Sequence, residues 1–251
     1  MSSSSTTTIL ITGGNRGLGK GLVEKYLARP KHTIIAAVRN PDNATSKALF
    51  TLPRGEESSL IVVKIDSFSA ADPVAAVKEL ESTHGINALD VVVANAGISK
   101  VFPQVHEIQI ADFQEHFNVN VHGIIYLFQA VRPLLNKANA PKFITLGTSA
   151  ASISDMERRN FPNSNYGTSK AAVNYLTRKI HFENPNLTAF PLDPGWAQTE
   201  MGNGNAWLFG LEKAHVPVVD SVNGMVKVID SATREETSGK FMFYDGSIQA
   251  W

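Results

Sequence analysis

A tyrosine and a lysine four residues apart, Tyr166 and Lys170, are the residues of this sequence best placed to do chemistry. They open an apolar-periodic helical run, Ala171 to Leu176. On a helix, positions four apart stand on one face, one turn from each other. A free phenol titrates near ~10 and is a poor acid–base group at neutral pH; an ammonium beside it favours the phenolate and lowers that value. The chemistry this pair suits is proton exchange with a carbonyl and its alcohol. Taken alone, the same spacing also fits an ordinary amphipathic helix with a surface lysine.

Strands and helices on either side of the pair must position it. Thr8–Thr12 is a short apolar, β-branched run, as a buried strand requires. Gly13-Gly14-Asn15-Arg16-Gly17-Leu18-Gly19 follows, then a helical pattern to about Ala28. Strand, glycine turn and helix in succession form a dinucleotide-binding context. The glycines let the backbone approach a pyrophosphate whose charge faces the helix N-terminus. The spacing here is Gly-x-x-x-Gly-x-Gly, and a plain tight turn before a helix is the alternative. His32–Val38 is a second strand, ending at Arg39. An acidic residue at this strand end holds a ribose diol in NAD-type sites. Val38 and Arg39 stand there instead, and arginine is the fork-shaped partner of a 2′-phosphate. Arg39, with Arg16 as the other arm of a clamp, points to NADP(H) over NAD(H); a solvated strand-end charge is the plain alternative.

Further strands are expected at 60–65, 89–94, 142–146, 187–192 and 239–244, with helices between them. Asp66 ends the third strand, where it can cap a turn or accept from an adenine amino group. Asn95-Ala96-Gly97 ends the fourth. A long helix is expected over 111–137, broken late by Pro133; Asn118 and Asn120 lie inside it, and Asn is a weak helix former. Asn118 reads as a packing or solvent-facing amide. Gly147-Thr148-Ser149 ends the fifth strand, its hydroxyls facing the ligand crevice. Residues 152–165 read as a loop. Residues 198–217, with Trp207, Leu208 and Phe209, read as a flexible flap over the crevice or as a buried satellite helix. Six strand–helix alternations predict one doubly wound, Rossmann-type α/β domain over 8–251 with a seven-stranded parallel sheet. Residues 1–7 are expected to be a disordered tail.

Composition narrows the function further. The 251 residues suit one α/β domain. Lys plus Arg and Asp plus Glu both number 23, so no charge imbalance points to nucleic acid or an anionic membrane. There is no cysteine, which excludes disulfides and thiolate chemistry. The seven histidines lack ligand spacing, so no metal is expected. No apolar run approaches the roughly 18 residues of a membrane span. Met1–Thr8 is polar without a basic and apolar leader, which makes the cytoplasm the default expectation.

Four segments together resemble the short-chain dehydrogenase/reductase family. They are Thr12 to Gly19, Asn95-Ala-Gly97, Tyr166-x-x-x-Lys170 and Pro194-Gly195-Trp-x-x-Thr199. Within that family the chain looks like the classical type with carbonyl-reductase character. The stretch Asn174 to Glu183 and the setting of Trp196 are similar to the fungal norsolorinic acid ketoreductase-like group. The resemblance implies that Tyr166 is the proton donor in carbonyl reduction. Lys170 would lower its pKa and hold the nicotinamide ribose, Asn120 would hold a proton-relay water, and a hydroxyl after the fifth strand would polarise the carbonyl. The family's usual Ser-Ser falls here on Gly147-Thr148, so Thr148 is the expected hydroxyl and Ser149 the alternative. Ala151 stands where the family has glycine. Cofactor contacts are implied for Gly13, Asn15, Arg16, Gly17, Leu18, Gly19, Arg39, Asp66, Asn95, Gly97, Tyr166, Lys170, Pro194, Gly195, Ala197 and Thr199, the last with the nicotinamide carboxamide. A homodimer or homotetramer is implied, through the 111–137 and Tyr166 helices.

The expected reaction is NADPH-dependent reduction of a ketone or aldehyde, with an apolar, polyketide-like substrate suggested by Trp196, Trp207, Leu208 and Phe209. A binding protein that senses NADP(H) without turnover, and an alcohol dehydrogenase working oxidatively, are the alternatives.

Overall fold

The computed structural model describes residues 6–159 and 161–251. In chain order the elements are β1 (Thr7–Thr12), α1 (Gly17–Leu27), β2 (His32–Val38), α2 (Ala44–Lys47), β3 (Ser59–Lys64), α3 (Ala71–His84), β4 (Val91–Ala94), α4 (Ile110–His116), α5 (Gly123–Leu135), β5 (Lys142–Leu146), α6 (Ser164–Glu183), β6 (Thr188–Asp193), α7 (Glu200–Asn203), α8 (Val218–Ser231) and β7 (Met242–Phe243). The strands pair in the order β3-β2-β1-β4-β5-β6-β7, every pair parallel. The direction of winding reverses between β1 and β4, and ligands of such sheets bind outside the strand C-termini at that switch point.

Strands covered on both faces lose the alternation of a half-exposed sheet. β4 and β6 are buried along their whole length. One face packs Ile9, Ile11, Leu22, Val23 and Phe190 under α1 and α8. The other packs Leu10, Val92, Leu127, Phe143 and Val173 under α3, α5 and α6. Each such side chain contributes about 1.5–3 kcal/mol by burial. Together they hold the strand ends, and hence the site, in fixed register.

Several expectations are corrected. Thr7 already belongs to β1, and the rest of the expected disordered tail falls mainly on residues 1–5, outside the described residues. The helix over 111–137 is interrupted at Phe117–His122, where the backbone takes π-helical bonding, and continues through Pro133 to Leu135. Pro133 sits in the last turn, where its missing N–H removes a single helical hydrogen bond. The 152–165 loop holds a 3-10 turn at Met156–Arg159, and α6 starts at Ser164, so Tyr166 lies in its first turn. β7 is two residues long because the chain turns at Gly239 (φ 75°) and hairpins back, Met242 bridging Ile248.

Candidate active site

The glycine loop forms the first wall. α1 begins at Gly17 with Arg16 as its cap residue, and no side chain caps its free N–H groups. Its first turn carries no acidic residue. Uncapped N–H groups and the positive end of the helix dipole suit an anion. Gly19 admits no side chain: a Cβ there would run into the Gly13 carbonyl and stand 2.5 Å from Asn95 Nδ2. Asn95 Nδ2 donates to Thr12 O at 2.7 Å, and the Thr12 hydroxyl accepts from Ala96 N–H, so the loops after β1 and β4 are locked together at the switch point. A pyrophosphate fits this cradle: an open helix N-terminus, and glycine at the close approach.

The second wall is α6. Lys170 is 5% exposed, and its Nζ donates to Leu146 O at 2.8 Å and stands 5.8 Å from the Tyr166 ring centre. Gly97 closes over it: a Cβ at Gly97 would lie 3.6 Å from Lys170 Nζ and 3.1 Å from Asn120 Oδ1. Asn120, fully buried in the π-helical turn, accepts from Ile98 N–H (2.8 Å) and donates to Ile98 O (2.9 Å) and Ser169 Oγ (3.0 Å). Ser169 in turn donates to Tyr166 O. One amide thus ties the segment after β4 to the helix that carries the pair.

The electrostatics differ from the sequence-based expectation. Burial, then the negative charge of Asp193, pushes the Tyr166 phenol above the ordinary tyrosine value. Burial lowers Lys170 from 10.5 to about 8, with Asp193 opposing. Desolvation of the phenolate and repulsion by the Asp193 carboxylate act in the same direction here. The protein by itself therefore keeps Tyr166 protonated, as a proton donor must be.

The third wall is the loop after β5. Thr148 Oγ1 accepts from Ala150 N–H at 3.2 Å and retains its own proton to donate. Ser149 is engaged by Asp193: its N–H donates to Asp193 Oδ2 at 2.5 Å, and its hydroxyl faces the same carboxylate. Asp193 is the group that sequence reasoning missed, since Asp-Pro-Gly reads as a turn. It is 2% exposed, and its Oδ1 accepts from Gly195 N–H at 2.8 Å.

The remaining expected residues are distributed around this core. Asp66 caps a turn, accepting from Phe68 N–H, one of the two roles expected for it. Asn15 donates to Thr45 and Ser46 at the start of α2. Leu18 packs on the core below the loop, and Ala197 is buried where it bridges Val216. Gly195 (φ 71°) follows Pro194 in the turn after β6. Thr199 caps α7, with its methyl 3.4 Å from where a Cβ on Gly17 would be. Arg39 is exposed at the end of β2. Arg16 is paired with Glu200 of α7 at 2.8 Å, a partner other than the expected clamp with Arg39.

The 198–217 segment is an excursion pinned at both ends. Gln198 N–H bonds Val216 O, Gln198 Nε2 bonds Ala214 O, and Trp196 Nε1 donates to Gly202 O. Phe209 from this excursion meets Phe161 edge-on at 5.2 Å and Trp196 at 5.1 Å, and Trp196 meets His215 at 5.1 Å. An aromatic wall thus joins the 152–163 loop to the excursion after β6. Trp207 stays outside it, 69% exposed.

A doubly wound parallel sheet with a glycine-lined, uncapped helix N-terminus at its switch point defines the dinucleotide-binding class of α/β proteins. Comparison with known proteins makes this specific. The short chain dehydrogenase family model matches residues 7–206, and the chain belongs to that family. It is 47% identical to the norsolorinic acid ketoreductase of Dothistroma septosporum, over 99% of this chain and 94% of that protein. It is 43% identical to that of Aspergillus parasiticus, over 98% and 91%. Among solved structures it is similar to the NADPH-bound carbonyl reductase from chicken fatty liver, with TM-score 0.86 and 27% identity over 98% of this chain and all of that one.

Proposed function

We propose that this chain is an NADPH-dependent reductase of an apolar, polyketide-like ketone or aldehyde in fungal secondary metabolism, with Tyr166 as its proton donor. The observation that carries the reading is the buried Lys170 ammonium beside a Tyr166 kept protonated by its surroundings, at the strand ends that also form the dinucleotide cradle.

NADPH, when bound, supplies the hydride. Gly13, Asn15, Arg16, Gly17, Leu18 and Gly19 would hold its phosphates, and Arg39 would take the 2′-phosphate. Asp66 would serve the adenine. Asn95, Gly97, Pro194, Gly195, Ala197 and Thr199 would hold the nicotinamide end. The Thr148 hydroxyl, free to donate, polarises the carbonyl oxygen, and Ser149 is occupied by Asp193. Tyr166 gives its proton to the developing alkoxide. Lys170 stabilises the phenolate left behind, and Asn120 holds the segment that covers Lys170. The wall built by Phe161, Phe209 and Trp196 would offer the substrate an apolar, aromatic surface. The names of the fungal relatives and of the carbonyl reductase support the same substrate and cofactor classes. In this reading the protein works in the cytoplasm as a homodimer or homotetramer, with the exposed Tyr175 and Phe182 of α6 on the subunit-facing side.

The test is consumption of NADPH with norsolorinic acid and a panel of aryl ketones and quinones. The expected result is turnover with aromatic carbonyls and a preference for NADPH over NADH. Tight NADPH binding without consumption across the panel would favour a binding protein that lacks redox turnover.

A further inference from the structure

The parallel ladder between β5 and β6 ends at Leu146 opposite Leu192, with one more backbone bond from Gly147 N–H to Leu192 O. Beyond it lie the two segments the reaction needs side by side: Thr148-Ser149 and the Pro194-Gly195 turn. No strand pairing holds them to each other. Asp193 does so with its side chain, Oδ2 accepting from Ser149 N–H and Oδ1 from Gly195 N–H. Both oxygens are thus used as acceptors, a pattern that suits the ionised carboxylate.

We propose that Asp193 is a positioning residue of the reaction: its carboxylate clamps the hydroxyl-bearing segment after β5 to the turn after β6 and keeps a fixed negative charge facing Tyr166 and Lys170. The groups that face it are Tyr166 and Lys170 from α6, Arg159 from the 156–159 turn, and the uncharged Ser149. Arg159 is shared with Asp155, 3.2 Å away. Burial holds Asp193 above the ordinary aspartate value, and the N–H groups of Ser149 and Gly195, the Ser149 hydroxyl and Arg159 oppose that rise without cancelling it. Asp193 adds to burial in keeping the Tyr166 donor protonated, and it opposes the effect of burial on Lys170.

The inference rests on Tyr166 being the proton donor, so the experiment separates the two claims. NADPH consumption with a carbonyl that the wild type reduces is followed against pH for wild type, Tyr166→Phe, Asp193→Asn and Asp193→Glu. Retained turnover in Tyr166→Phe would sink the reading of the donor, whatever Asp193 does. With Tyr166→Phe inactive, Asp193→Asn is expected to lose about 10²-fold in kcat, the scale of an ångström-level misplacement. Its alkaline limb is expected to move to lower pH, because the charge that keeps Tyr166 protonated is gone. Asp193→Glu keeps the charge on a longer arm and is expected to lose kcat with its limb near that of the wild type. The proposal is overturned by an Asp193→Asn enzyme with wild-type kcat, or by lowered kcat with an unmoved limb, which would mark a purely structural role. If Asp193→Asn does not fold by circular dichroism, Asp193→Glu decides by its split: lowered kcat with NADPH binding as in the wild type supports the clamp, and wild-type kcat, or kcat and NADPH binding lost together, overturns it. Failure of both to fold makes Asp193 a residue of the fold alone and also overturns the proposal.

Discussion

Lys170 is an ammonium with one backbone hydrogen bond and almost no contact with water. Its burial lowers it from 10.5 to about 8, so between those values the unfolded chain binds a proton that the folded chain has released. Stability therefore rises with pH across this window. For the cofactor-free protein, the stability of wild type relative to Lys170→Met is expected to climb from pH 8 upward, on the order of 3 kcal/mol over the full window. Urea unfolding of both proteins between pH 7 and 9.5 checks it. Above pH 10 the buried Tyr26 and the half-buried Tyr166, both raised, act with the opposite sign. A flat difference would mean that Lys170 is solvated. At this scale Tyr166 and Lys170 were legible in the sequence because a helix converts a spacing of four into a shared face. Asp193 was not: Asp before Pro-Gly has a local explanation as a turn, and its burial arises only when β5 and β6 lie side by side.

The π-helical turn at Phe117–His122 is the element that the site depends on most. It carries Asn120, whose amide meets both the N–H and the C=O of Ile98. Removing that side chain leaves buried polar groups unpaired, at about 1–3 kcal/mol for each. Asn120→Ala is accordingly expected to lose at least about 2 kcal/mol of stability together with most of its turnover. Asn118→Ala, in the same turn but half-buried, should stay within about 0.5 kcal/mol. Denaturant melts and NADPH consumption measured on both variants check this; equal effects would remove Asn120 from its special place. The central strands were legible because β-branched runs of four to seven residues recur between helical patterns. The π turn was not, since a shift from i→i+4 to i→i+5 bonding leaves no mark on hydrophobic periodicity. β7 was overextended for a related reason: Phe241 to Tyr244 is apolar enough for a longer strand, but Gly239 and the returning hairpin cut it short.

Over the whole molecule, the sheet brings the glycine loop, the Asn95-Gly97 turn, the β5 hydroxyls and the Pro194-Gly195 turn to one edge, and the excursion after β6 folds beside them. The aromatic wall exists only at this scale, because Phe161, Trp196 and Phe209 come from separate segments. The sequence showed bulky apolar residues in the excursion but not which of them converge, so Trp207 looked as suitable as Phe209. Edge-on aromatic contacts contribute about 0.5–1.5 kcal/mol beyond area burial, a factor of up to about ten in affinity. Phe209→Ala is expected to raise KM for an aromatic ketone by up to about tenfold and to leave KM for a small aliphatic aldehyde nearly unchanged. Steady-state kinetics on the two substrates decide, and a parallel rise for both would place Phe209 in general scaffolding.

The central claim is that the Tyr166 hydroxyl delivers the proton. The most direct measurement compares NADPH turnover and NADPH binding in wild type and Tyr166→Phe on one aromatic ketone. The account predicts NADPH binding as in the wild type, with turnover lower by about 10²–10⁴-fold. Turnover close to wild type in the Tyr166→Phe enzyme would contradict it.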